Sequence, residues 1–161
     1  MGRWWWDSME TEAQYLAAMK QQLMDADELL AHPTQAAFAS DAHERHLAGA
    51  MYLAGYAVEC VLKAYLLRKH RSKLPSYQGF DPTLDDLRKS GVLLPGNLHS
   101  LRELWLATGL SGQDQVMELN AGACFAWKPL WRYQPPGNAR KNAEDFLQAA
   151  RDLSNWVEIQ P

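Results

Sequence analysis

Apolar residues return at helical intervals along most of the chain, and the places where they stop returning mark its joints. Between Glu10 and Leu30, the residues Tyr15, Leu16, Met19, Leu23, Ala26 and Leu30 share one stripe with no Gly or Pro among them, which predicts a first helix. Pro33 ends it, because the residue before a proline is driven out of the helical region. Ser40 or Asp41 is placed to cap a second helix, which the pattern carries to about His70. Leu47, Met51, Ala54, Val58, Val61 and Tyr65 run down one side of it, while Tyr52, Leu53, Tyr56, Cys60 and Leu62 cover much of the rest. A helix apolar on most sides has to be surrounded, by other helices of its own chain or by a partner as well. The small residues Gly49, Ala50, Ala54, Gly55 and Ala57 permit a close approach by another helix.

Residues 71–83 hold two prolines and a glycine, and so predict a loop that gives way to a helix start at Pro82 or Thr83. The short helix LDDLRKSG stops at Gly91; LHSLRELWLATGL follows after another loop, with Leu98, Leu101, Leu104 and Trp105 facing inward. Residues 113–126 are a weaker helical segment because Gly122 lies inside it, and 127–138, with three prolines, read as a structured aromatic loop. The helical period returns through Ala143, Phe146, Leu147, Ala150, Leu153 and Trp156 or Val157. Nothing alternates as a strand, so the expected fold is all-α: an up-and-down bundle of four to five main helices around a long second one. It forms one domain over residues 10–158, behind an aromatic N-terminal extension at 1–9.

Composition changes this picture little. The chain is 47% hydrophobic and 22% charged, ordinary for a globular domain and contrary to global disorder. Cys60 and Cys124 lack CxxC spacing and no secretory signal is evident, so a reducing cytoplasm is expected. The run around residues 50–67 approaches the length of a membrane span, but Glu59 and Lys63 would each cost roughly 2.5–3.5 kcal/mol at the bilayer centre, and no membrane association is expected. The basic run RKHRSK at 68–73 admits two readings, cations complementing a helix C-terminus or a dock for phosphate, and its shortness favours the first.

Two opposite charges stand out. Glu59 and Lys63 lie at i and i+4 with the acid first, the favourable order for a helical pair, inside the greasiest stretch of the chain. The plainer reading is a structural ion pair near the core; the functional one gives Lys63 a phosphate to meet in a cleft. His99 sits at a predicted helix start, where a cap or an acid/base role are both open. Arg132 and Tyr133, in the proline-bounded loop, either close a pocket there, by binding an anion and stacking on a base, or anchor the loop, Arg132 pairing with Glu59. No Walker loop, zinc spacing, GxSxG elbow or paired-carboxylate site is present, and no metal or other cofactor is implied. Trp4, Trp5 and Trp6 form an abrupt cluster before Met9, itself an alternative start.

Taken in order, AMYLAGYAVECVLKAYL (50–66), LHSLREL (98–104) and LWRYQ (130–134) ahead of a last Ala-rich helix resemble the HEPN domain family. The resemblance spans about residues 10–158, rests chiefly on GYAVExxLKA, and marks Gly55, Tyr56, Glu59, Lys63, His99, Arg132 and Tyr133. It implies a helical bundle that dimerises through its central helices, and membership of prokaryotic defence or toxin–antitoxin modules. RNA or a nucleotide is the implied ligand, and a nucleotidyltransferase-type protein the implied partner. Many of the family are metal-independent ribonucleases using an Arg separated from a following His by four to six intervening residues. None of His32, His43, His46, His70 and His99 has an Arg at that distance, and Lys63, which precedes His70 suitably, lacks the planar grip of a guanidinium. The expectation is therefore a binding component without that chemistry. The alternatives are a protein–protein interaction module that binds no nucleic acid and, less favoured, a ribonuclease assembled from groups such as Lys63, His70, His99 and Arg132.

Overall fold

The computed structural model describes residues 11–31, 39–74, 81–132 and 140–161, with backbone alone for 39–45 and Arg132. It is an all-α helical bundle: α1 (Glu12–Ala31), α2 (Ala39–Lys69), α3 (Leu84–Lys89), α4 (Leu101–Thr108), α5 (Gln115–Cys124) and α6 (Arg140–Glu158). Trp4–Trp6, Met9, His32 and Tyr133 lie outside the described residues.

α2 is the axis. Every residue from Ala57 to Leu67 is buried, and α1, α6, α4 and the 3-10 turn Pro129–Arg132 supply the enclosure. One stretch of it, His46–Lys69, is long and apolar enough to cross a membrane, but 83% of that apolar window is already buried within the chain, as in a core helix. The surround that its sequence demands thus comes along this stretch from its own chain. Only Tyr52, Leu53 and Tyr56, among the large residues of its middle, keep partial exposure.

Local chemistry explains the shorter elements. Thr83 caps α3 with a full capping box, its hydroxyl accepting from the Asp86 amide and the Asp86 carboxylate accepting from the Thr83 amide. Asp114 caps α5 by accepting from the Val116 and Met117 amides. α4 stops at Gly109, whose φ of 72° is the left-handed conformation that glycine adopts without strain. Glu118 then ties the α4–α5 turn: its carboxylate accepts from Gly112 N, Ser111 Oγ and Trp105 Nε1. The Gly112 amide above all, against partial desolvation, holds that carboxyl below its ordinary range.

Three sequence readings shift. α2 begins at Ala39, so Ser40 and Asp41 stand inside its first turn and not before it. α4 begins at Leu101 and not Leu98, since Ser100 caps it by accepting from the Glu103 amide at 3.3 Å. The segment weakened by Gly122 does form α5, because Gly122 lies on an open surface where its cost is only propensity.

Candidate functional site

Three of the marked residues of α2, together with Tyr52, which was not marked, fall on one stripe by arithmetic alone. Tyr52, Tyr56, Glu59 and Lys63 are separated by steps of four, three and four, which keeps them on one face of a 3.6-residue helix. The stripe runs from half-buried tyrosines to a fully enclosed pair of charges.

Lys63 Nζ donates to Glu59 Oε1 at 2.7 Å, and each side chain is only 1% exposed. Tyr15 of α1 adds its ring, with the ammonium 5.6 Å from the centroid, within cation–π range. The ion pair therefore stands in the core. A buried charge is tolerable only when paired and hydrogen-bonded, and each member here supplies the other's counter-charge.

His99 completes the cluster from forty residues away. Its Nδ1 lies 3.2 Å from both Glu59 oxygens. An ionised carboxylate only accepts, so in this contact Nδ1 carries the proton and donates. The imidazole is 34% exposed, which makes it the one member of the trio to reach the surface. Its placement comes from the turn before α4: buried Leu98 pins the segment, and Asn97 Oδ1 accepts from the His99 amide at 3.0 Å. Lys63, Glu59 and His99 thus form a chain of charge and hydrogen bonds from core to surface.

Gly55 has a specific neighbour. A Cβ there would stand 2.0 Å from the Trp127 indole, so only glycine leaves room for it. Trp127 Nε1 donates to the Tyr52 carbonyl at 3.0 Å, which fixes the ring over α2. The close approach expected of another helix is at Gly55 the approach of an indole; at Gly49 it is that of Leu29 from α1, 3.2 Å from a Cβ built there. The Tyr52 and Tyr56 rings are parallel within 8° at 6.4 Å, and Trp127 is tilted 32° to Tyr52 at 6.1 Å.

Arg132 ends the 3-10 turn Pro129–Arg132, which packs on α2; its side chain, like Tyr133, lies outside the described residues, as does any pairing of Arg132 with Glu59. Lys63 and His99 meet through Glu59, but His70 does not join them. It follows the end of α2 eleven residues beyond Glu59, about 16 Å along the axis at 1.5 Å per residue. Its imidazole is held below the ordinary value by burial first, then by Lys73 and Lys69.

The basic run at 68–73 was only half legible. Its cations do serve helix C-termini, but those of other helices. Arg68 Nη1 donates to the carbonyls of Glu158 and Gln160 at 2.8 and 2.6 Å, closing the end of α6, while Nε donates to Glu12 of α1 at 2.8 Å. Lys69 Nζ donates to the Thr108 carbonyl at the end of α4. Nothing in the run's spacing announces such distant partners. A cleft of about 260 Å³ opens near this rim, lined by Glu12, Leu16, Arg71, Asp81 and Pro82 among others, and shares no lining residue with the His99 cluster.

Compared with protein-family models, curated proteins and solved structures, the chain has no significant match.

Proposed function

We propose that this is a HEPN-like cytoplasmic protein that binds RNA or a nucleotide, as the non-cleaving component of a prokaryotic defence or toxin–antitoxin module. In that setting it pairs with a second copy through helical faces and works beside a nucleotidyltransferase-type partner. The observation that carries the reading is convergence: Glu59, Lys63 and His99, picked out by their resemblance to one family, meet at one locus although His99 is forty residues from Glu59. Absence of the Arg-to-His spacing supports the non-cleaving clause, as does the burial of Lys63 against Glu59.

The test is fluorescence anisotropy of a labelled short single-stranded RNA with the purified chain, alongside an incubation in chelator to score cleavage. Saturable binding that falls at least tenfold in His99→Ala, with the RNA intact, is the expected outcome. Robust metal-independent cleavage abolished by His99→Ala would overturn the non-cleaving clause. Absence of any binding would favour the interaction-module reading. That second reading draws on Leu106, Val116 and Leu119 of α4 and α5, which are 57%, 60% and 71% exposed.

A further inference from the structure

An exposed leucine is ordinary, but a whole helix side without a charge is not. The outward side of α6 carries i,i+4 pairs: Arg140 with Glu144, Lys141 with Asp145 and Gln148 with Asp152. That of α1 mixes Lys20, Gln21, Asp27 and Glu28 with Met24. α5 differs. Its Ala121 and Cys124 are buried against the bundle, and the exposed residues opposite them are Gln115, Val116, Leu119, Gly122 and Ala123, with Ala126 just beyond. Val116, Leu119 and Ala123, spaced by three and four, run down the middle of that side.

The middle of α2 has no face to give a second copy, because every residue from Ala57 to Leu67 is already buried in its own chain. α5 has one, and its order is complementary to itself. When two copies of α5 lie antiparallel across a two-fold axis, the register that sets Leu119 over Ala123 also brings Val116 toward Ala126, large against small, and each contact is made twice. The same register carries Asp114, at the start of each helix, toward exposed Lys128 past the end of the other. On a chain of net charge −3, an uncharged stripe lets two copies meet without setting acid against acid.

Resting on the second-copy clause of the functional reading, we propose that two copies of this chain pair through the outward side of α5, with Leu119 of each seated on Ala123 of the other. α5 is short, so the interface belongs to the small, weak class and the dimer depends on concentration.

Sedimentation velocity of the full chain from about 5 to about 500 μM tests this, and the expected result is a monomer that becomes a dimer across that range. Leu119→Ala should weaken the dimer at least about tenfold, because each dimer loses the side chain twice. Ala123→Leu should also weaken it, although it adds apolar surface, since leucine then meets leucine. Combining the two exchanges knob and notch, and should return the affinity to within about threefold of the parent. Both positions are exposed, so the monomer tolerates either change. A chain that stays monomeric throughout leaves the α5 side to a different protein and overturns the inference together with the second-copy clause. A dimer indifferent to both single variants uses another face: the inference falls and that clause stands. Strengthening by Ala123→Leu, or no recovery in the double variant, overturns it as well, because either marks apolar adhesion without a register. RNA binding, read by anisotropy on the same samples, decides the rest of the functional reading by itself.

Discussion

α2 carries two clusters of charge barely two turns apart, and they are built in opposite ways. At its middle, Glu59 and Lys63 are sealed in the core and satisfied by neighbours of the opposite sign or by an imidazole. At its end, Arg68 and Lys69 reach outward to the spent carbonyls of α6 and α4, with water beside them. The middle cluster depends on each partner being present, because a buried charge without its counterpart has nowhere to find solvent. The rim cluster depends on reach: one guanidinium joins the start of α1 to the end of α6, and losing it returns those groups to water at modest cost.

Experiments can press on that difference, beginning with the largest effect. Lys63→Met should destabilise the protein by about 3–5 kcal/mol in urea unfolding at neutral pH, since Glu59 stays buried with His99 as its remaining partner among the described residues. Adding Glu59→Gln should recover most of that loss; a single variant costing under about 1 kcal/mol would put the pair in contact with solvent and break the contrast. Arg68→Met comes next, at about 1–3 kcal/mol, with faster amide hydrogen exchange concentrated in the last turn of α6. Lys69→Met should cost about 0.3–1 kcal/mol and fray only the end of α4.

The smallest effect is a pH dependence at the rim. The His70 imidazole is held below its ordinary value in the folded chain, so the folded state binds fewer protons than the unfolded one. Its contribution is present above the unfolded value near 6.5 and is lost as pH falls through the lower folded value. The melting temperature should therefore slip as pH drops below about 6.5, and His70→Gln should flatten that part of the curve.

Where helix and loop alternate, the sequence reads well, because hydrophobic period, caps and prolines are local signals. Leu47, Met51, Ala54, Val58, Val61 and Tyr65 were placed inward from their spacing and are all buried. Thr83 was one of two proposed starts for α3 and is its cap. The candidate site was legible only as far as α2 itself carries it: the spacing of Glu59 and Lys63 announced the pair. What lies across from them was not readable. His99 on Glu59, Trp127 on Gly55 and Arg68 on Glu158 are contacts between segments whose meeting is decided by the packing of whole helices. A glycine inside a long helix was the one hint that something bulky had to pass there.

The sealed pair also bears on how this sequence can change over generations. Replacing Glu59 or Lys63 alone takes from the other its counter-charge in a buried ion pair, so a lineage must pass through a destabilised protein before it can lose both. Such a pair is held in place by its own geometry, and it would persist in descendants that had abandoned whatever ligand or reaction their ancestors served. Finding Glu59 and Lys63 in a chain therefore speaks to ancestry more than to present activity, and the surface-reaching residues His99, Tyr52 and Tyr56 are where a change of role would first be written.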